Sequence, residues 1–250
     1  MGRDPDRENI QMASTTLRYT DGELELLGHL ALPDSAMPRP GVLVMPPGSG
    51  LGAATKRVVE RLAAMGYVAL GGDPFGHGAV AGNYEQAERF ASLFSDDPVR
   101  FRRRVQVALD ALSALPQVDK GRLAAIGYCM GGTFVLELAR SGAPLAAVVT
   151  FHGILQPKIA ATEGNVRAEI LVCTGAKDPF VPPDHVAAFT EEMTAAGANW
   201  QMISYAGVQH SFTNPDAGAY GRPGLAYDQH ADRHSWAAMA SLLDRTLRTA

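Results

Sequence analysis

Short apolar runs alternate with amphipathic stretches along most of the chain. The run Gly41–Met45 (GVLVM) is continuous and apolar, which is typical of a strand covered on both faces of a sheet. Residues 53–65 carry apolar side chains at helical spacing, Gly66 provides a stop, and a second apolar run, YVALGG, follows. This order predicts a strand–helix–strand unit whose two strands are parallel.

The same alternation continues to the end of the chain. Before it, two antiparallel strands are expected on either side of Asp21-Gly22, a dipeptide that accepts the positive φ of a tight hairpin turn. Further strands are predicted over 122–127, 145–151, 169–174 and 200–205, and helices over 100–115, 131–140, 184–196 and about 228–247. We therefore expect an α/β fold: a mostly parallel, doubly wound sheet with an N-terminal antiparallel hairpin and helices on both faces.

Composition limits the class of protein. The 250 residues are 46% hydrophobic and 19% charged, so we expect residues 13–250 to form a single domain after a disordered leader at 1–12. The net charge is −4, and the basic cluster Arg102–Arg104 is expected on a solvated helix face, so nucleic acid is not an expected partner.

Targeting and metal signals are weak. No stretch reaches the ~18 apolar residues of a membrane span, and residues 1–12 lack the apolar region of a secretion signal. The two cysteines cannot build a disulfide framework, and Cys and His do not occur at zinc spacing. We therefore expect a cytoplasmic protein with no membrane contact, no metal and no cofactor.

The candidate chemistry follows the strand predicted at 122–127. Gly127-Tyr128-Cys129-Met130-Gly131 has the G-x-nucleophile-x-G pattern of a strand-to-helix turn, with Cys where Ser is commoner. The helix N-terminus would favour the thiolate, and the amide of Met130 would bind a developing oxyanion. The alternative is a buried apolar cysteine between turn glycines, but the position between an apolar strand and a helix favours a nucleophile.

A thiol nucleophile needs a base, and the base needs an orienting acid. In the α/β-hydrolase order the acid and then the histidine follow the nucleophile, and Asp178 and His210 each come just after a predicted strand. The carboxyl ends of parallel strands meet at one edge of a sheet, so we expect these residues to converge with Cys129 as a catalytic triad. Asp184 is a rival acid, although its place suits a helix N-cap.

The remaining site residues are expected in loops. The second oxyanion donor is assigned to the amide of Gly48, with Ser49 a weaker candidate, because Pro46 and Pro47 have no N–H; a glycine that only turns the chain is the alternative. Cys173 lies in an apolar run and is expected to be inert core, and residues 214–224 are expected to form a mobile flap. The residues predicted to line the pocket are Phe75, His77, Tyr84, His152 and Phe212.

From Thr15 onwards the chain resembles the dienelactone hydrolase family. The resemblance lies in the cysteine elbow GYCMGG, the acid loop TGAKDPFVP and the histidine loop GVQHSFTNP. It implies an α/β-hydrolase fold, Cys129 as nucleophile with Asp178 and His210 as partners, and hydrolysis of an ester or lactone through a thioester acyl-enzyme.

Two family features are absent from this sequence. The activating glutamate after the first parallel strand is Pro47 here, and the segment Asp73–Gly78 has no arginine to hold a substrate carboxylate. We therefore expect a small-molecule ester or lactone other than dienelactone itself.

Other activities remain open from sequence alone. The same triad could transfer the acyl group to an acceptor other than water, or the protein could be a non-hydrolytic member that binds a ligand or senses oxidants through Cys129. The expected assembly is a monomer or a homodimer.

Overall fold

The computed structural model describes residues 13–94 and 96–248, so the leader predicted at 1–12 lies outside the described residues. Within them the chain forms a single eight-stranded sheet. Its strands are β1 (Ala13–Asp21), β2 (Leu24–Leu32), β3 (Arg39–Met45), β4 (Val68–Gly71), β5 (Val118–Tyr128), β6 (Ala147–Phe151), β7 (Glu169–Gly175) and β8 (Trp200–Tyr205). The helices are α1 (Ala53–Ala64), α2 (Tyr84–Ser92), α3 (Pro98–Ser113), α4 (Met130–Arg140), α5 (Pro183–Ala195) and α6 (Gln229–Leu247), with a 3₁₀ turn at Ala217–Tyr220.

The strand order is β1-β2-β4-β3-β5-β6-β7-β8. The hairpin β1–β2 is antiparallel and joins β4 in antiparallel fashion, whereas β4, β3, β5, β6, β7 and β8 are mutually parallel. The expected α/β-hydrolase fold, with a mostly parallel sheet and an N-terminal hairpin, is confirmed.

Helices cover both faces of the sheet. On β3, Leu43 and Met45 face a core shared with α3, α4 and α5, while Val42 and Val44 face a second core shared with α1 and α6. This is why Gly41–Met45 is apolar at every position instead of alternating with polar residues. The carboxyl ends of β5, β7 and β8 consequently lie along one edge, from which the loops with Cys129, Asp178 and His210 emerge.

Four local expectations need correction. Helix α2 was not predicted. Strand β5 begins at Val118 rather than at residue 122, since Val118 and Asp119 already pair with Arg39 and Pro40 of β3 before the register shifts at Gly41. The basic cluster is not uniformly solvated: Arg104 is 2% exposed and donates to Asp21 Oδ2 (2.9 Å) and to the carbonyl of Pro74. Asp184 lies in the first turn of α5, whose N-cap is Pro182.

Candidate active site

Cys129 lies at the sharp turn between β5 and α4. Its φ of 54° and ψ of −120° form a strained conformation for a residue with a side chain, and it is the N-cap of α4. A Cβ at Gly127 would lie 2.0 Å from the carbonyl oxygen of Gly131, and a Cβ at Gly131 would lie 2.1 Å from that of Met45 on β3. Only glycine therefore fits on either side of this turn, which places the sulfur at the start of a helix.

The structure brings Cys129, His210 and Asp178 together. The Nε2 atom of His210 is 3.1 Å from the sulfur of Cys129, and its Nδ1 atom is 2.7 Å from Oδ2 of Asp178. His210 and Asp178 are 3% and 4% exposed, so the imidazole and the carboxylate interact in a largely water-free environment. Asp178 is held by the amide of Phe180, which donates to its Oδ1 atom at 2.8 Å.

The charges of this cluster favour a thiolate and an imidazolium. Burial alone would raise the pKa of the Cys129 thiol, but the charge of His210, its hydrogen bond and the amides of Met130 and Gly48 together lower that pKa below the ordinary value. Burial alone would lower the pKa of His210, yet the charge of Cys129 and the hydrogen bond with Asp178 raise it above the usual range. Each partner thus stabilises the ionised form of the other.

The amides of Met130 and Gly48 converge on the sulfur. Both donate hydrogen bonds towards Cys129, one from the first residue of α4 and the other from the loop after β3. That loop turns tightly, with the amide of Gly50 donating to the carbonyl of Pro47 at 2.9 Å. His210 and two amides can therefore stabilise a thiolate at Cys129. They do so without the glutamate that the family described above has at the position of Pro47.

His152 lies behind Cys129 and is not on an open wall of the site. Its side chain follows β6 and is 2% exposed, and its Nδ1 atom accepts from the backbone amide of Cys129 at 3.1 Å. The opposite ring nitrogen, Nε2, is 2.8 Å from Oγ1 of Thr213.

The other predicted pocket residues are distributed around the site. Phe212 is completely buried and packs against His152 and Tyr205, so the structure places it in the core rather than on an accessible pocket wall. The side chain of His77 is 69% exposed and lies 4.0 Å from Glu25 on β2. Phe75 packs against Phe90 at a ring separation of 4.6 Å.

Tyr84 opens α2 and contacts the loop before α6. The guanidinium of Arg222 lies 4.3 Å from the centre of the Tyr84 ring and also pairs with Glu88 at 3.0 Å. The predicted flap is thus joined to α2 by Arg222. The pocket-lining role of all five residues remains a prediction.

Two neighbours of His210 were missed by the sequence analysis. The ring of Phe180 lies 4.8 Å from the His210 ring and is 38% exposed, which makes it an apolar surface beside the imidazole. Its position two residues after Asp178 in the sequence could have indicated that Phe180 lies close to the site. The role of Thr213 depends on a contact with His152 across distant loops, and no local pattern indicates it.

The described residues contain neither a membrane-spanning helix nor a metal-binding cluster. Among residues 13–94 and 96–248, no helix is both long and apolar enough to span a membrane. The same residues contain no cluster of three or more His, Cys, Asp or Glu side chains arranged to hold a metal ion.

Comparison with known proteins gives consistent similarities. Residues 26–247 match the dienelactone hydrolase family. The chain is 30% identical to a Bradyrhizobium protein named a probable 2-oxo-3-(5-oxofuran-2-ylidene)propanoate lactonase, over 80% of this chain and 84% of that protein. It is 41% identical to a dienelactone hydrolase-like promiscuous phosphotriesterase from metagenomic libraries, whose crystal structure superposes with a TM-score of 0.91 over 94% of this chain and 98% of the other.

Proposed function

Because the chain belongs to the dienelactone hydrolase family and is a hydrolase acting on esters or lactones, we propose that it works through a Cys129–His210–Asp178 triad and a thioester acyl-enzyme. The observation that carries the proposal is the 3.1 Å contact between the sulfur and Nε2 of His210, with Nδ1 of the same ring 2.7 Å from Asp178. A thiol, a base and an orienting acid in this arrangement are the parts that nucleophilic acyl transfer requires.

The first half-reaction acylates the sulfur. The thiolate attacks the carbonyl carbon, an S–C bond forms, and the carbonyl oxygen becomes an oxyanion bound by the amides of Met130 and Gly48. These amides point at the sulfur in the resting state, so the incoming carbonyl oxygen takes over hydrogen bonds that the thiolate already uses. The tetrahedral intermediate then expels the alcohol oxygen, which receives the Nε2 proton of His210.

The second half-reaction releases the acid. Neutral His210 accepts a proton from water as the water oxygen attacks the thioester, and collapse of the new intermediate breaks the S–C bond. The products are the carboxylic acid, the thiolate and an imidazolium, which restores the starting ion pair. Asp178 holds the imidazole in one orientation and stabilises its charge in both steps.

The substrate class follows from the relatives and from the absence of a cationic clamp. The named lactonase supports a cyclic ester, although the substrate in its name is a carboxylate. Neutrality of the substrate rests on the segment Asp73–Gly78, which offers no arginine for a carboxylate. That segment is held by Asp73, whose carboxylate accepts from the amides of Leu27, Phe75, Gly76 and Gly78. We propose a neutral ester or lactone as the substrate.

A phosphotriester is a second candidate substrate. The solved relative with 41% identity is named a promiscuous phosphotriesterase. A phosphoryl oxygen would use the same two amides while the thiolate attacks phosphorus: the S–P bond forms, the P–O bond to the aryl group breaks, and the aryl oxygen takes the Nε2 proton of His210. Water activated by His210 then cleaves the S–P bond and restores the thiolate. Release of the aryl alcohol from a diethyl aryl phosphate, lost in Cys129→Ala, tests this activity independently of ester hydrolysis.

Mass spectrometry of the intact protein tests the main proposal. After millisecond mixing with an activated aryl ester, we expect one acyl group on Cys129, followed by release of free acid. Cys129→Ala should give no adduct, and His210→Ala should slow its formation by about 10³-fold or more. Cys173→Ser is the matched control and should acylate normally, because Cys173 is buried.

The outcomes separate the alternatives. An adduct that transfers to an added alcohol faster than to water would indicate an acyltransferase. A protein that forms no adduct with any ester but readily forms a sulfenic acid at Cys129 would contradict hydrolysis and favour a thiol sensor.

A further inference from the structure

His152 adopts an unusual backbone conformation for a histidine. It directly follows β6 with a φ of 42°, in the left-handed region that a side chain disfavours. Cys129, the proposed nucleophile, and Ser211, which follows the proposed base His210, share this property, with φ values of 54° and 60°. Such strained conformations persist only where the surrounding structure enforces them, and they cluster at functional sites. Here Cys129, His152 and Ser211 all lie around one site.

The hydrogen bonds of the His152 ring define its tautomer. The backbone amide of Cys129 can only donate, and it is shared between the carbonyl of Phe151 at 2.9 Å and Nδ1 of His152 at 3.1 Å. Nδ1 must therefore present a lone pair, which leaves the single ring proton of a neutral imidazole on Nε2. That proton is directed at Oγ1 of Thr213, 2.8 Å away.

The same ring contacts the loop that carries the catalytic base. Its centre is 5.0 Å from that of His210 in an edge-to-face arrangement, and 5.1 Å from that of Phe212. Thr213 is three residues after His210, so one side chain touches the elbow on one side and the histidine loop on the other.

We propose that His152 is a positioning residue of the triad: as a neutral Nε2–H tautomer it ties the amide of Cys129 to the loop of His210 through Thr213. This inference rests on the proposed triad and deepens it. The reacting atoms are 3.1 Å apart, and small errors in such a distance reduce rates strongly.

Neutrality is part of this role. A second proton on His152 would aim Nδ1–H at the N–H of Cys129 and would place a cation against the imidazolium of His210. The ionisable groups close to the ring are Cys129, His210 and Tyr128, whose ring centre is 6.2 Å away. Burial, followed by the charge of His210, holds the pKa of His152 well below its ordinary value.

Nitrogen-15 NMR of histidine-labelled protein tests the tautomer directly. We expect one histidine that is neutral and protonated on Nε2 between pH 5 and 9, and that disappears in His152→Phe. A His152 signal that is doubly protonated near pH 6, or protonated on Nδ1, would overturn the proposal. This measurement needs no substrate, so it remains informative even if the hydrolase mechanism proposed above fails.

A double-mutant cycle tests the positioning. His152→Phe keeps an aromatic ring without hydrogen bonds, and Thr213→Val removes the hydroxyl with little change of shape. We expect each to slow acylation of Cys129 by roughly 10- to 100-fold with KM within about twofold, and the double variant to be no slower than the worse single one. His152→Asn should recover part of the loss, because its Oδ1 atom can accept from the amide of Cys129.

Two readouts separate positioning from simple loss of stability. The pH dependence of Cys129 alkylation should change in His152→Phe, whereas a merely structural role would lower the unfolding temperature and leave that profile unchanged. His185→Phe, at a half-buried histidine on α5, is the control and should change neither. Wild-type acylation rates and alkylation profiles in His152→Phe, or fully additive effects in the cycle, would contradict the proposal.

Discussion

At the scale of single residues, Cys129 combines backbone strain with a charged environment. Its φ of 54° lies in the left-handed region, and the adjacent groups lower the pKa of its thiol. The second cysteine contrasts with it: Cys173 is fully buried in β7, and burial raises the pKa of its thiol to about 12. A reagent that alkylates thiolates should therefore modify Cys129 and leave Cys173 almost unmodified.

This contrast gives a prediction about pH. With iodoacetamide, we expect the alkylation of Cys129 to persist below pH 8.5, the region where an ordinary thiol loses its thiolate, and to fall only as the pH drops through the lowered pKa. In His210→Ala the favourable charge is gone while burial remains, so the inflection should move upwards. A wild-type inflection at or above that of a free cysteine would contradict the ion pair.

The glycines of the elbow leave no space for even one additional carbon atom. Gly131→Ala would place a Cβ 2.1 Å from the carbonyl oxygen of Met45, and β3 cannot move aside because it is central in the sheet. We expect a loss of about 2–3 kcal/mol or more in the free energy of unfolding, measured by urea denaturation. Gly218→Ala is the matched control, since no atom lies within 4 Å of its added Cβ, and its midpoint should stay close to that of the wild type.

At the scale of elements, helix α2 differs from the others. It contains no fully buried residue: its apolar face, formed by Tyr84, Ala87, Phe90 and Ala91 at helical spacing, is only half-buried, so an amphipathic signal was present in the sequence and was missed. By contrast, β3, β5, β6 and β7 are buried along most of their length, and their continuous apolar runs were predictable. Sequence patterns are clearest for elements that bury whole side chains. Helix α2 instead packs through half-buried side chains and exposed polar contacts.

Arg222 provides such a contact, and its removal should loosen α2. Both members of the Arg222–Glu88 pair are about half exposed, so we expect no measurable change in the unfolding midpoint of Arg222→Ala. Hydrogen exchange of the amides at 84–92 should accelerate, and KM for a bulky ester should change. Arg245→Ala removes an exposed pair with Glu169 elsewhere and is the control. Unchanged exchange in α2 would show that Arg222 does not restrain it.

A buried charge network fixes the loop after β6. Glu137 on α4 is fully buried and accepts from Arg140, Arg102 and the amides of Lys158 and Ile159. Glu137→Ala would leave these donors unpaired, so we expect a loss of about 3–5 kcal/mol in the free energy of unfolding, measured by urea denaturation. Glu191→Ala, at an exposed position on α5, should be close to neutral. A similar small effect for Glu137→Ala would mean that water replaces the carboxylate.

At the scale of the whole molecule, the topology explains why the convergence of Cys129, Asp178 and His210 could be predicted and the contacts of His152 could not. Cys129, Asp178 and His210 each follow a parallel strand, and the rule that such strands end at one edge brings them together without knowledge of any side-chain contact. His152 also follows such a strand, and it was predicted as pocket lining. That it lies behind Cys129 and reaches Thr213 depends on how two loops pack, which no periodicity records.

The whole-molecule charge pattern also constrains the substrate. The net charge of −4 and the absence of an arginine in Asp73–Gly78 disfavour an anionic substrate, although Arg222 stands near Tyr84 with its charge already paired to Glu88. We therefore expect kcat/KM for a neutral aryl ester or an uncharged lactone to exceed that for dienelactone, which carries a carboxylate, by at least about tenfold. The methyl ester of dienelactone is the decisive comparison, because it removes the charge with little change of shape. It should be cleaved faster than the free acid.

Glu88→Gln would remove the carboxylate that pairs with Arg222, so it should reduce the difference in kcat/KM between the free acid and its methyl ester. A preference for the free acid in the wild type would show that a cation reaches the substrate from a part of the chain other than Asp73–Gly78.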